Sequence, residues 1–147
     1  MSLKEKINQA KIVAMKARDA KRNGAFILIK SAVTQYEVDN RVEATDDIVL
    51  TVLNRMVKQR KDSIEQYEKA SRQDLVDVEK YELNVISEFL PEQVSAEEVE
   101  AVIKEAIASA GATSVKDLGK VMGIIKAELN GKADIGEASK KAKELLA

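Results

Sequence analysis

Residues 86–98 read Ile-Ser-Glu-Phe-Leu-Pro-Glu-Gln-Val-Ser-Ala-Glu-Glu, and they contain both the end of one helix and the start of the next. Pro91 is the single proline of the chain, and a proline pushes the residue before it, here Leu90, out of the helical region. Further on, Ser95 and Glu98 have the Ser-x-x-Glu spacing of a capping box, which marks a helix N-terminus. The segment therefore predicts a boundary between two domains, residues 1–90 and residues 91–147.

Before this boundary, apolar residues recur at helical spacing in four successive segments. Ser2 and Glu5 form a capping box ahead of the first helix, and Thr45 is suited to cap the third. Asn23-Gly24 breaks the pattern and predicts the end of the first helix. We therefore expect the N-terminal domain to be a bundle of about four helices.

After the boundary, the pattern predicts three shorter helices. The first runs from the Ser95 cap to Gly111, and the second runs from about Ser114 to Asn130, with Gly131 as its stop. The last begins near Gly136. Since no segment of the chain alternates strictly between apolar and polar residues, the prediction is an all-α fold: a bundle of about four helices followed by a small three-helix domain.

The composition restricts the chemistry. The chain contains neither histidine nor cysteine, which removes disulfides, thiolate nucleophiles, the usual zinc sites and the commonest general base. No cofactor-binding motif is present, so we expect no catalytic residue, no cofactor and no metal. No apolar run is long enough to span a bilayer, and the N-terminus lacks the apolar core of a signal peptide. These features predict a cytoplasmic protein without a membrane partner.

One arginine interrupts the apolar stripe of the third helix. Arg60 lies seven residues after Leu53 and seven before Tyr67, so its stem should point inward. Glu79 and Glu82 fall at apolar positions of the fourth helix. Since an unpaired buried charge is costly, we predict that Arg60 pairs with Glu79 or Glu82. The alternative, a general acid–base pair of carboxylates, lacks a visible nucleophile or metal partner.

Two glycines lie one helical turn apart in the stretch Lys116-Asp117-Leu118-Gly119-Lys120-Val121-Met122-Gly123. Each glycine inside a helix costs roughly 1 kcal/mol relative to alanine, which suggests that another body approaches this face closely. A neighbouring helix packed on the small residues is one reading. A phosphate-bearing partner is the other, because Lys116, Lys120 and Lys126 lie near the same predicted surface.

The first predicted helix is basic. Lys4, Lys11 and Arg18 recur every seven residues and would share one face of a helix that continued to Arg22. Such a stripe is usual for a solvated helix face, and phosphate contact is the functional alternative.

Four segments of the chain together resemble the YqeY family, which is similar to the tail domain of the B subunit of tRNA-dependent amidotransferases. Their order and spacing cover nearly the whole chain. The segments are Lys58-Gln59-Arg60-Lys61-Asp62-Ser63; Arg72-Gln73-Asp74-Leu75 with Glu79 and Glu82; Phe89-Leu90-Pro91; and Asp117-Leu118-Gly119-Lys120-Val121-Met122-Gly123 with Gly131-Lys132-Ala133-Asp134.

The resemblance implies an N-terminal helical bundle, a small helical domain and a partner, because the amidotransferase tail helps to hold tRNA while other domains transfer the amide. Neither the catalytic cradle nor the amidase subunit is present in this chain. We therefore expect a non-catalytic module that binds tRNA or an enzyme–tRNA complex. The expected binding residues are Lys116, Gly119, Lys120, Gly123, Lys126 and Lys132.

Two alternatives remain open at the level of sequence. A net charge of −1 favours a protein-interaction adaptor that docks its glycine face on a partner helix without binding RNA. The family association also allows an accessory part of a glutamine-dependent carbon–nitrogen ligase. Independent catalysis is disfavoured, because no amidase triad is recognisable.

Overall fold

The computed structural model describes residues 1–147 and contains helices and no β-strand, which confirms the all-α prediction. Seven α-helices follow one another along the chain, with a single 3-10 turn between the fifth and the sixth. They are α1 (Leu3–Lys16), α2 (Ala20–Asn40), α3 (Asp46–Lys69), α4 (Gln73–Ser87), α5 (Ala96–Ala110), the 3-10 turn (Val115–Asp117), α6 (Leu118–Leu129) and α7 (Ile135–Leu146).

The helices cluster into two compact units, Met1–Leu90 and Pro91–Ala147. Each unit has a core of its own. In the first, α1 to α4 bury aromatic and branched side chains, and in the second, α5 to α7 bury mainly isoleucine, leucine, valine and alanine. The fully buried side chains include Phe26, Ile29, Val49 and Leu53 in the first unit and Ile103, Val121, Ile125 and Ala142 in the second.

Local capping signals place the ends of several helices as the sequence predicts. Ser2 Oγ accepts a hydrogen bond from the Glu5 backbone N–H at 3.1 Å, and Glu5 Oε2 accepts one from the Ser2 N–H at 3.0 Å. Thr45 Oγ1 accepts from the Ile48 N–H at 3.4 Å at the start of α3. These contacts confirm the predicted caps and satisfy amide groups that have no partner inside the helix.

The predicted break at Asn23-Gly24 is wrong, because both residues lie inside α2. The chain turns earlier. Arg18 adopts a left-handed backbone with φ of 58°, and Asp19 Oδ1 then accepts from the Arg22 N–H at 3.0 Å to cap α2. Arg18 is therefore not part of α1, and the predicted basic stripe through Lys4, Lys11 and Arg18 does not lie on one helix.

In the second unit, the predicted cap at Ser95 and the predicted stop at Gly111 are both confirmed. Ser95 Oγ accepts from the Glu98 N–H at 3.2 Å, and Gly111 ends α5 with a left-handed φ of 63°. The helix predicted to start at Ser114 instead begins at Leu118. The preceding residues form the 3-10 turn, where Asp117 Oδ2 accepts from the Thr113 N–H at 3.1 Å.

Candidate functional site

The six residues expected to bind a partner lie along one continuous part of the second unit. Five are exposed to solvent in or just before α6, and Lys132 is exposed in the turn that leads to α7. Gly119, Lys120, Gly123 and Lys126 belong to α6, whereas Lys116 belongs to the 3-10 turn. The expected α-helical relation between Lys116 and Lys120 is therefore wrong, because the chain is not α-helical at Lys116.

The two glycines of α6 face open space. A Cβ atom added at Gly119 or at Gly123 would meet nothing within 4 Å, and both residues are exposed. The buried face of the same helix carries Val121, Ile125 and Leu129. No other helix of the second unit packs on the glycines, so packing inside this unit does not explain them.

The two glycines lower the stability of α6, and no packing against their Cα atoms within the second unit compensates for this loss. Gly123 lies in the middle of α6, where glycine is less favourable than alanine by roughly 1 kcal/mol. Gly119 is the second residue of the helix, where the cost is smaller. At an exposed glycine, a partner can approach the helix axis more closely than it could at a residue with a side chain.

Two lysines flank this open face. Lys126 follows Gly123 by three residues and Gly119 by seven, so the three lie on the same side of α6. Lys120 lies about 120° around the helix from Lys126, at a rotation of about 100° per residue. Both side chains are exposed, so α6 presents bare backbone between two cations.

Lys132 is positioned by the turn at Gly131, the residue predicted to stop the helix. Gly131 has a left-handed φ of 79°, and its carbonyl oxygen accepts a hydrogen bond from Gln93 Nε2 at 2.6 Å. The carbonyl oxygen of Lys132 accepts from the Val94 N–H at 3.0 Å. The segment that follows Pro91 thus holds the backbone of this turn while the Lys132 side chain stays exposed.

Charge is segregated along the second unit. Residues 92–105 contain five glutamates and one lysine, whereas residues 115–146 contain seven lysines and five carboxylates. α5 is therefore acidic, and the part of the chain that forms α6 and α7 is basic. The net charge of the whole chain hides this local excess of positive charge, which favours an anionic partner for the α6 side of the unit.

Arg60 and Glu82 pair between α3 and α4. Arg60 Nη2 lies 3.2 Å from Glu82 Oε2, and the two side chains are only 13% and 19% exposed. The Nε atom of Arg60 is buried without a hydrogen-bond partner. Two charges that are this far buried lose much of their hydration, and their attraction to each other offsets that loss.

Glu79 lies near the Arg60–Glu82 pair, and its carboxyl group has a raised pKa. Burial raises the pKa of the Glu79 carboxyl above its usual value, the nearby Glu82 carboxylate raises the pKa further, and Arg60 opposes both effects. The ionised form of Glu79 is therefore less favourable in the folded protein than in the unfolded chain.

Replacing Glu79 with Gln is expected to stabilise the first unit at pH 7. The pKa of Glu79 is raised on folding, so the native state binds the proton more tightly than the unfolded state does. Ionisation of Glu79 therefore lowers the stability of the folded state as the pH rises toward and through the folded pKa. The gain in stability should shrink as the pH falls. It should disappear below the ordinary pKa of a glutamate, where the carboxyl group of Glu79 is protonated in both the folded and the unfolded state. Urea unfolding at several pH values measures it.

The exposed Glu65→Gln serves as the control for this substitution, because Glu65 lies on the surface beside Lys69. We expect it to leave the pH dependence of stability nearly unchanged. A Glu79→Gln variant that gains the same stability at pH 4 as at pH 7 would contradict the assignment.

A cavity of about 580 Å³ lies in the first unit, between α1, α2 and the start of α3. Its floor is apolar and includes Ile7, Ile29 and Val33. The two cations at its rim already have partners, since Lys4 pairs with Glu37 at 3.0 Å and Lys30 donates to Asn8 at 3.0 Å. None of the six expected binding residues lines this cavity.

The acidic side chains form no group of three that could hold a metal ion. No helix combines the length and the apolar character that crossing a membrane requires.

A comparison with protein families gives one match over nearly the whole chain. Residues 4–146 match the model of the family described as Yqey-like protein. This match confirms the family resemblance inferred from the four segments.

Curated relatives were found in fungi. An uncharacterized protein of Schizosaccharomyces pombe is 31% identical over 64% of this chain and 76% of its own length. "Altered inheritance of mitochondria protein 41, mitochondrial" of Lachancea thermotolerans is 34% identical over 59% of this chain and 47% of its own length. The protein of the same name in Pyrenophora tritici-repentis is 24% identical over 90% of this chain and 75% of its own length. The chain thus spans about half the length of one of these relatives and three quarters of the other two.

The expectation of a cytoplasmic location is wrong in the light of these relatives, because the named ones are mitochondrial proteins. The expectation rested on the absence of an apolar signal peptide and of a membrane span. Both observations concern secretion and membrane insertion, and neither bears on mitochondrial import, which uses amphipathic and not apolar sequences.

Proposed function

The chain belongs to the YqeY family, and we propose that it is a non-catalytic RNA-binding module that holds tRNA or an enzyme–tRNA complex. The observation that carries the proposal is the uncovered glycine face of α6, where Gly119 and Gly123 meet no other atom within 4 Å of a Cβ position. Lys120 and Lys126 flank this face in the basic half of the unit.

The proposed mode of recognition is contact with the phosphate backbone. Residues 91–147 contain no Phe, Tyr or Trp, so the second unit offers no aromatic platform on which bases could stack. Lysine side chains are point charges suited to phosphate, and the missing Cβ atoms of the two glycines allow a strand to lie close to the helix backbone. Recognition then depends on shape and charge and not on base sequence.

The choice of tRNA rests on the likeness to the amidotransferase tail domain. The segment around the α6 glycines and the Gly131–Asp134 turn both belong to the residues that carry this likeness. In the present chain both segments carry an exposed lysine, Lys120 in the first and Lys132 in the second, and this supports a shared kind of partner. Amide transfer is not part of the proposal.

Binding of labelled total tRNA at two salt concentrations tests the proposal. If three or four phosphates are contacted, log affinity should fall with log salt at a slope of about −2 to −4, so that binding weakens by roughly 15- to 250-fold between about 50 and 200 mM salt. A double-stranded DNA of similar length is the control for plain attraction of polyanions. Absence of binding at low salt, or binding that does not depend on salt, would overturn the proposal.

A protein-interaction adaptor is the second candidate, and the open glycine face favours it as well. A partner helix packed on Gly119 and Gly123 would approach as closely as a phosphate backbone would. It would bind mainly through packing, so its affinity would depend little on salt. The salt dependence of binding therefore separates the two functions.

A further inference from the structure

The hairpin formed by α1 and α2 carries a concentration of exposed apolar side chains. Five of the eleven large apolar residues that are exposed in the whole chain fall between residues 12 and 28, and each is between 42% and 66% exposed. Single exposed apolar residues are ordinary, but a cluster of them marks an interaction surface. The five residues, called the hairpin patch, are Ile12, Val13, Met15, Ile27 and Leu28.

The hairpin patch covers the exposed surface of the hairpin, and Ile12 and Ile27 are its members directed most nearly away from the core. Ala14 of α1 and Ile29 of α2 point into the core. At about 100° per residue, Ile12 and Ile27 lie about 160° around their helices from these buried positions, and the other three residues of the patch lie about 100° from them. The hydrogen bond from Lys30 Nζ to Asn8 Oδ1, 3.0 Å long, fixes the level of the two helices. Ile12 lies four residues nearer the turn on α1, and Ile27 lies three residues nearer the turn on the antiparallel α2, so the two come to a similar level.

The same hairpin is strongly basic. Residues 11–30 contain six cations and one carboxylate, Asp19. Three of the cations have polar or aromatic partners within the unit: Arg22 pairs with Glu88 at 2.8 Å, Lys21 lies over the Tyr81 ring at 4.1 Å, and Lys30 donates to Asn8. Lys11 Nζ lies 3.4 Å from the Sδ atom of Met15, a residue of the hairpin patch, and Lys16 and Arg18 follow that residue in the sequence. The six are Lys11, Lys16, Arg18, Lys21, Arg22 and Lys30.

We propose that the α1–α2 hairpin binds the surface of a lipid bilayer that contains anionic phospholipid. The aliphatic side chains of the hairpin patch enter the boundary between head groups and acyl chains, and the flanking lysines and arginines lie at the level of the phosphates. The expectation of no membrane partner rested on the absence of a helix that could span a bilayer. A helix hairpin that lies on the bilayer surface needs no such helix, so that absence does not bear on this proposal.

The arrangement favours a bilayer over RNA and over a protein helix. RNA would engage the cations, but it offers nothing to five exposed aliphatic side chains. A protein helix would need a groove to occupy. The small cavity near the turn, about 330 Å³, is lined by Met15 alone among the hairpin patch. Protruding apolar side chains with cations around them are the pattern of helices that lie in a membrane interface.

Flotation of the full chain with lipid vesicles tests the proposal. We expect binding to vesicles of equal parts phosphatidylcholine and phosphatidylglycerol at low salt, and little binding to phosphatidylcholine alone. The triple variant Ile12→Ser, Met15→Ser, Ile27→Ser should lower partitioning at least about tenfold, because it removes apolar contact while the charges remain. A second variant, Lys11→Gln with Lys16→Gln, should lower it by a similar factor while leaving the apolar residues in place.

The matched control is the triple variant Val78→Ser, Val115→Ser, Leu145→Ser, whose residues are between 38% and 48% exposed elsewhere on the chain. It should float like the unsubstituted protein. Failure of the unsubstituted protein to bind anionic vesicles would overturn the proposal, and so would an equal loss in the control. Neither hairpin variant touches α6, so tRNA binding by the hairpin variants should stay unchanged, and the two proposals fail independently.

Discussion

Replacing Arg60 with Met is expected to destabilise the first unit by about 2–4 kcal/mol. The substitution leaves Glu79 and Glu82 together in a partly buried position without a cation. Arg60 Nη2 lies 3.2 Å from Glu82 Oε2, and the side chain of Glu82 is only 19% exposed. Breaking a fully buried pair by removing one partner costs about 3–5 kcal/mol, and the residual exposure here lowers the figure.

Removing the second charge as well should restore most of the stability. In the double variant Arg60→Met, Glu82→Leu, no desolvated ion pair remains, and the apolar side chains extend the contact between α3 and α4. Replacement of a buried pair by apolar residues is often neutral or stabilising. Glu79 loses the cation that lowers its pKa and the anion that raises it, so these two changes partly cancel.

Tyrosine fluorescence reports on this unit alone, because Tyr36, Tyr67 and Tyr81 all lie in residues 1–90. Urea unfolding followed by this signal gives the stability of the single and double variants. Lys61→Met is the matched control, since Lys61 is the exposed neighbour of Arg60 on α3. An Arg60→Met variant no less stable than Lys61→Met would contradict the expected role of the pair.

The sequence predicted those features of the fold that depend on neighbouring residues. Ser2, Thr45 and Ser95 are caps whose hydrogen bonds join residues three apart, so the local spacing alone determines them. The stop at Gly111 depends likewise on one left-handed residue. Gly24 shows the limit of such signals. Glycine tolerates a break but does not cause one, and the Asp19 cap placed the start of α2 before it.

The features of the candidate site that sequence could not predict depend on residues far apart in the chain. Spacing alone does not distinguish glycines covered by a helix from glycines left open, and only the packed unit shows that Gly119 and Gly123 meet nothing. The bond from Gln93 to Gly131 joins residues 38 positions apart, and no local pattern indicates it. The exposure of the candidate lysines could be predicted, because a charged side chain at the surface needs no tertiary contact.

Reversing three lysines of the second unit is expected to have the largest effect on binding. The variant Lys116→Glu, Lys120→Glu, Lys126→Glu replaces three attractions to phosphate by three repulsions, and tRNA affinity at about 100 mM salt should fall at least about 100-fold. The remaining salt dependence should be shallower, because fewer counterions are released on binding. All three side chains are exposed, so the helix content measured by circular dichroism should not change.

A matched reversal on the first unit separates a local site from a general effect of charge. Lys61→Glu, Lys69→Glu and Lys80→Glu change the net charge by the same amount at exposed positions of α3 and α4. If the α6 lysines contact phosphate, this variant should bind tRNA within about threefold of the unsubstituted protein, since it leaves all the proposed phosphate contacts in place. Equal losses in both variants would mean that tRNA responds only to net charge. Full binding by the α6 variant would place any partner of the glycine face among proteins, because a packed helix does not require these cations.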